Sequence, residues 1–172
     1  MAKNIIHIVG TGTIGEPLIG LLTHFSKELG VDEVTFNKRT PLKTDRSKAV
    51  DLIRRGAKLA TSRDQFGGFE KLGIKASYDT EEAINRATVV IDWTPSGAGL
   101  ANKEQYYLKA ASQGGKGYIA QGSEFGFGKM YARGINDETL VPGEDKFIQV
   151  VSCNTQNLSV LVKMFGTKGT TD

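Results

Sequence analysis

The sequence predicts an α/β protein built on a doubly wound, mainly parallel sheet, and three observations carry that expectation. Residues 5–9 form a short apolar run that flows into three glycines spaced Gly10-x-Gly12-x-x-Gly15. Residues 88–93 are nearly continuous in Val and Ile, the pattern of a strand covered on both faces. Strand-like and helix-like stretches alternate around them over 172 residues, a length that suits one domain or one domain with the start of another.

Each glycine of the first turn has its own physical task. Gly10 lets the chain turn sharply out of the strand, Gly12 lets bare backbone approach a pyrophosphate, and Gly15 allows the following helix to pack closely. The helix start then offers unpaired N–H groups and a positive dipole end to phosphates. Ile14, Leu18, Leu22, Phe25 and Leu29 recur at helical spacing with Leu21 alongside, and Gly30 follows as a stop signal. A strand at 34–37 completes strand, helix, strand, the frame in which this glycine spacing marks a Rossmann NAD(P)-binding fold.

The end of that second strand bears on which dinucleotide is expected. NAD-specific proteins place an acidic side chain about 20 residues past the glycines, on the ribose hydroxyls. Here the chain reads Asn37-Lys38-Arg39-Thr40, with two cations where that carboxylate would stand. Lys38 and Arg39 therefore either hold a 2′-phosphate, which makes NADP the preferred cofactor and NAD the tolerated one, or face solvent as ordinary turn residues. They also open a basic stretch: residues 38–63 carry nine Lys and Arg against Asp45 and Asp51, in a chain of net charge +3. Such a patch is a solvated face or an anion receiver. Aromatic residues are not interleaved in it and no recognition motif accompanies it, so nucleic acid is not expected as a partner.

The remaining elements follow in order. A helix is expected over 42–55, a third strand over 57–61, a surface excursion over 65–73 because of Gly67-Gly68, and a short extended piece over 74–78. Asp79 and Glu82 fit a capping box for a helix to residue 86. The strand at 88–93 ends in Thr94-Pro95-Ser96-Gly97-Ala98-Gly99, a second turn beside the first and a candidate cofactor wall. A helix to residue 112 and a strand at 117–122 come next; residues 125–144 carry no clear period. A last strand at 147–151 closes the first domain, residues 1–151, leaving 152–172 as the start of a second, catalytic domain and a tail.

Cys153, the only cysteine, joins that last strand to a helix whose Leu158, Leu161, Val162 and Phe165 follow i, i+3, i+4, i+7. A lone cysteine is commonly an inert packing residue. At a helix N-terminus the dipole favours thiolate, and after a dinucleotide domain the sulfur is placed to attack a carbonyl beside a nicotinamide. A single cysteine also excludes an internal disulfide and fits a reducing, cytoplasmic setting. No apolar stretch approaches the roughly 20 residues that cross a bilayer, so no membrane partner is expected, and no metal site is read from the sequence.

Gly10-Thr-Gly-Thr-Ile-Gly15, the basic end of the second strand, Gln121-Gly122 and Val151-Ser-Cys-Asn-Thr155 together resemble the archaeal-type glyceraldehyde-3-phosphate dehydrogenases, from the N-terminus to about Phe165. The resemblance implies phosphorylating oxidation of glyceraldehyde 3-phosphate with inorganic phosphate and NADP or NAD, in a homotetramer. It implies Cys153 as nucleophile, Ser152 and Asn154 flanking the substrate, Thr13, Ile14 and Gly122 on the cofactor, and Lys38 near the ribose phosphate. The chain has Gly122-Ser123-Glu124 where family members usually show Gly-Gly-Glu, and its histidines, His7 and His24, lie in the first strand and first helix, away from any general-base position. The expectation is a cofactor-binding half that is inactive alone; a dinucleotide-binding module or pseudoenzyme is the alternative.

Overall fold

The computed structural model describes residues 3–122 and 124–166. Its centre is β1 (Ile5–Val9), which pairs in parallel with β2 (Glu33–Asn37) on one side and β5 (Val89–Asp92) on the other. Outward from β2 lie β3 (Lys58–Thr61) and the two-residue β4 (Tyr78–Asp79); outward from β5 lie β6 (Gly117–Ala120), β8 (Phe147–Val150) and β7 (Lys129–Tyr131). Among the described residues, every neighbouring pair of strands in this eight-stranded sheet runs parallel. The order reverses between β1 and β5, and in open α/β sheets that reversal opens a crevice beyond the carboxyl ends of the strands.

Successive strand residues point to opposite faces, and both faces are covered. Ile8, Phe36, Leu59 and Ile91 pack with Ile19 of α1 (Gly15–His24), Leu52 of α2 (Arg46–Arg54) and Phe69 of α3 (Phe66–Lys71). Val9, Val90, Tyr118 and Ala120 pack on the other face with Ile84 of α4 (Thr80–Arg86) and with Tyr107 and Ala110. Tyr107 ends a π-helical turn, Lys103–Tyr107, that joins α5 (Ala98–Asn102) to α6 (Leu108–Ser112) in one continuous helical run. The doubly wound parallel sheet expected from the sequence is therefore present.

Three local readings are corrected. The first helix stops at His24, five residues before the end of its apolar period, where the Thr23 hydroxyl donates to the carbonyls of Ile19 and Gly20. Leu29 lies beyond that end and is exposed, Leu21 is on the outer face of the helix, and only Leu18, Ile19 and Leu22 of the apolar positions reach the core. Residues 65–73 are no surface excursion: they form α3, with Phe69 buried, and Gly68 sits there because a Cβ would lie 2.6 Å from Pro41 Cγ. The unassigned 125–144 stretch supplies β7 and the buried Phe127, whose ring meets those of Tyr107 and Phe147 edge to face.

Asp79 does cap α4, its Oδ1 accepting from the Glu81 N–H at 2.9 Å. After β8, α7 (Cys153–Gly166) carries no buried residue. Of the expected catalytic start and tail, 152–172, residues 167–172 lie outside the described residues. None of the described helices is long and apolar enough to cross a membrane.

Candidate active site

All the parallel strands end on one edge, which gathers the glycine turn, the end of β2, the turn after β5 and the cysteine turn. In the glycine turn, Gly10 adopts φ +98°, and a Cβ there would lie 2.9 Å from the Trp93 backbone. A Cβ at Gly15 would lie 1.9 Å from the Gly10 carbonyl oxygen, so the helix start rests directly on the strand end. Gly12 differs: apart from its chain neighbours, none of the described residues has an atom within 4 Å of its Cβ position, so packing among them does not account for that glycine. The N-cap of α1, Ile14, makes no side-chain hydrogen bond; in the first turn the Glu16 N–H donates to the Gly12 carbonyl at 3.1 Å and Pro17 has no N–H, so the open approach is to the backbone of the glycine turn. Open space beside bare backbone at an uncapped helix start is what a pyrophosphate requires, and the residues present fit one.

A cavity of about 550 Å³ opens beside this turn, lined by Gly10, Thr11, Asn37, Lys38 and Arg39 on one side and by Thr94, Pro95, Asn102 and Tyr107 on the other. Lys38 is mostly covered, its backbone N–H donating to the Ala60 carbonyl and its Nζ lying 2.7 Å from Asp45 Oδ2 and 3.5 Å from Thr11 Oγ1. Arg39 is exposed on the rim. Much of the basic stretch is consumed by pairing: Lys48 with Glu16, Arg55 with Asp51, Lys58 with Glu33 and Arg63 with Asp79. The part of the patch that lines the cavity is Lys38, itself paired with Asp45, and Arg39 on the rim. Thr13 and Ile14 do not line this cavity; Thr13 faces a separate groove of about 850 Å³ between α1 and α2, and Ile14 is exposed.

The far wall of the cavity is held by a buried carboxylate. Asp92, last residue of β5, accepts from the Thr94 N–H and hydroxyl through Oδ1, and from Asn102 Nδ2 at 2.9 Å and Tyr107 OH at 2.6 Å through Oδ2. Burial, then the Asp92 charge, push the Tyr107 hydroxyl well above the ordinary phenol range, so it stays a donor.

Two strands away, Gly122 and the cysteine turn are in contact. A Cβ at Gly122 would lie 2.3 Å from the Ser152 backbone nitrogen, and Gln149 Nε2 donates to the Gly122 carbonyl at 3.2 Å. Ser152 caps α7, its Oγ accepting from the Thr155 N–H at 3.2 Å. Cys153 and Asn154, the first two residues of α7, are exposed. Gln121 bridges this cluster to the cavity wall by donating from Nε2 to the Thr94 carbonyl at 3.1 Å. Among the described residues no group of His, Cys, Asp and Glu could hold a metal ion.

No protein-family model matches the chain. A glyceraldehyde-3-phosphate dehydrogenase from Methanococcoides burtonii is 35% identical over 98% of this chain and 48% of its own length. One from Methanosarcina acetivorans is 32% identical over 92% of this chain and 44% of its own, and one from Sulfurisphaera tokodaii 28% identical over 92% and 43%.

The chain is a relative of the archaeal-type glyceraldehyde-3-phosphate dehydrogenases. It spans about half the length of the curated glyceraldehyde-3-phosphate dehydrogenases it matches. An imine reductase structure from Pseudomonas sp. shares 20% identity, with 69% of this chain and 32% of that one covered at a TM-score of 0.40. In this relative of glyceraldehyde-3-phosphate dehydrogenase the structure brings Gly10, Lys38 and Arg39 around one cavity, and Gly122 against Ser152 beside Cys153. It does not bring Thr13 or Ile14 to the cavity wall. Sequence reasoning passed over Asp92, Tyr107 and Asp45. Asp92 alone left a signal, as the one carboxylate in an otherwise apolar strand.

Proposed function

We propose that this chain is the dinucleotide-binding half of a phosphorylating glyceraldehyde-3-phosphate dehydrogenase, with residues 1–151 forming the cofactor domain and residues 152–172 beginning the catalytic one. The observation that supports the reading is the backbone contact of Gly122 with Ser152, which holds the cysteine turn beside the turn after β6. The glycine turn would hold the pyrophosphate, through Gly10, Gly12 and Gly15 with Thr13 and Ile14 at the helix start. Lys38 and Arg39 would favour NADP over NAD. A nicotinamide dinucleotide held there would supply the hydride acceptor that oxidation of a cysteine-bound aldehyde to a thioester requires.

The remaining chemistry belongs to the chain's own residues. Cys153, exposed at the first position of a 14-residue helix, is open to an aldehyde carbonyl, and its backbone N–H is in reach of the developing oxyanion. Ser152 and Asn154 flank the substrate, glyceraldehyde 3-phosphate, and inorganic phosphate cleaves the thioester to an acyl phosphate, restoring the thiolate. The family resemblance supports a homotetramer, and the single reduced cysteine a cytoplasmic setting.

A second reading has its own observation. His7 is sealed in β1 and His24 lies on α1, so neither of the chain's two histidines stands beside Cys153. On that reading the chain binds NADP as a module and oxidises no aldehyde by itself.

Fluorescence titration with NADP⁺ and NAD⁺ tests the binding claim. Tighter NADP⁺ binding that Lys38→Asp reverses is the expected result; equal affinities unchanged by that substitution overturn the NADP preference. Alkylation of Cys153 at neutral pH decides between the two readings: modification much faster than that of a free cysteine supports the dehydrogenase half, and modification at the free-cysteine rate supports the module.

A further inference from the structure

The end of β2 lacks the carboxylate that reads ribose hydroxyls, yet the folded crevice contains one. Asp45 is carried in by a 3₁₀ turn, Lys43–Asp45, whose last N–H donates to the Leu42 carbonyl at 3.1 Å. It lines the cavity together with Gly10, Thr11, Asn37, Lys38 and Arg39. One of its oxygens, Oδ2, accepts from Lys38 Nζ at 2.7 Å; the other has no protein donor among the described residues. The side chain of Asp45 keeps 32% of its surface exposed, while that of Lys38 keeps 14%. Lys38 is therefore the fixed member of the pair, tied by its backbone to β3 and reaching the glycine turn at Thr11, and Asp45 is the member with room to move.

We infer that Asp45 is a specificity-determining residue of the dinucleotide site, accepting ribose hydroxyls in NAD and yielding Lys38 to the 2′-phosphate in NADP. The inference rests on the dinucleotide reading above. Its physical content is a competition for one ammonium group. A phosphate monoester brings about 1.5 to 2 negative charges, and Asp45 both repels it and occupies the cation that would receive it. A ribose hydroxyl brings no charge and finds in the open oxygen of Asp45 the acceptor that a carboxylate at the end of β2 supplies elsewhere. The Lys38–Asp45 ion pair thus moderates a preference for NADP and keeps NAD as a usable ligand. The Lys38 hydrogen bond and charge hold Asp45 below the ordinary carboxylate range, so the competitor is ionised throughout the neutral region.

The test uses two probes that differ only in the 2′-phosphate, adenosine 2′,5′-bisphosphate and adenosine 5′-monophosphate, titrated calorimetrically into the 172-residue chain at fixed ionic strength. Asp45→Asn keeps the shape of the side chain and removes its charge. It is expected to tighten the bisphosphate about fivefold or more and to leave the monophosphate equal or weaker. Lys38→Gln is expected to weaken the bisphosphate alone, and in the double variant the gain from Asp45→Asn shrinks to the part owed to direct repulsion, because the rest acts through the one ion pair. A bisphosphate-to-monophosphate affinity ratio unchanged by Asp45→Asn overturns the inference while leaving the dinucleotide reading intact. Failure of both probes, and of NADP⁺ and NAD⁺, to bind the unmodified chain overturns that reading and the inference with it.

Discussion

Gly122 lies with its Cα against the backbone of Ser152, so close that an added methyl would stand 2.3 Å from the Ser152 nitrogen and 2.6 Å from its Cα. Both partners are backbone, and neither can rotate aside. The turn after β6 and the turn after β8 are thereby held in one arrangement. Gly122→Ala is expected to cost about 1–3 kcal/mol of stability by overpacking. It should also change the rate at which iodoacetamide modifies Cys153. Urea denaturation with parallel alkylation kinetics checks both; a variant with unchanged midpoint and rate would show that the two turns are not coupled.

The Asp92 cluster yields a second expectation. Tyr107→Phe removes one donor from a buried carboxylate and should destabilise the fold by about 1.5–3 kcal/mol, the range for a hydrogen bond to a charged group. Asp92→Asn should weaken dinucleotide binding as well, because Thr94, Asn102 and Tyr107, which Asp92 holds, all line the cavity. Thermal denaturation and cofactor titration separate the two effects.

Acid should act on the sheet through His7 before it acts through carboxylates. His7 is fully buried, its Nδ1 on the Thr35 hydroxyl at 2.7 Å, and burial lowers its pKa from 6.5 to about 3. The unfolded chain therefore binds a proton that the folded chain refuses. Stability is complete above pH 6.5 and falls as the pH drops toward 3, by at most about 1.4 kcal/mol per pH unit. His7→Gln should flatten the dependence of the urea midpoint on pH across that interval.

Glu33 adds a separate, lower window. Burial alone would raise its pKa, but the Lys58 hydrogen bond and charge, Arg86 and Tyr78 outweigh it, and the net shift is downward. For a carboxylate shifted down, stabilisation is present above the ordinary value of 4.5 and is lost as the pH falls through the lowered one. In a His7→Gln background the remaining acid loss should therefore lie below about pH 4.5, and Glu33→Gln should reduce it.

The exposed face of α7 should make the chain associate. Leu158, Leu161, Val162 and Phe165 are 49–71% exposed, and α7 touches the body mainly through Gln156 on the Arg133 carbonyl and Lys163 on the Gly134 carbonyl. Sedimentation velocity should show concentration-dependent assembly that Leu161→Glu with Phe165→Glu abolishes; a monomer at all concentrations would contradict this.

The parts of the fold that were legible in the sequence were those whose cause is local. The Gly10 to Gly15 spacing, the apolar β5 and the Asp79 cap each depend on residues within one or two turns of one another. What was misread depends on distant partners. Gly67-Gly68 looked like a break, but Gly68 is small because Pro41 packs on it. Leu29 continued a helical period that the Thr23 hydroxyl had already loosened. Asp45 was one acid in a basic run until the 3₁₀ turn folded it onto Lys38, seven residues earlier. The cysteine turn was recognised from its motif, whereas its contact with Gly122 needed the neighbouring positions of β6 and β8 in the sheet.

The place of β1 in the middle of the sheet has a consequence for synthesis. Its partner on one side, β2, begins at Glu33, but its partner on the other begins at Val89. As the chain leaves the ribosome, β1 can pair with β2 early and must then wait for more than fifty further residues with its other edge bare. At elongation rates of about 5–20 residues per second that is an interval of seconds, far longer than the microseconds a hairpin needs. An apolar strand with open N–H and C=O groups is a template for another nascent chain during that time. Crowded translation of this protein should therefore yield aggregates seeded by its first strand, and holding chaperones should be most effective when they act before residue 89 emerges.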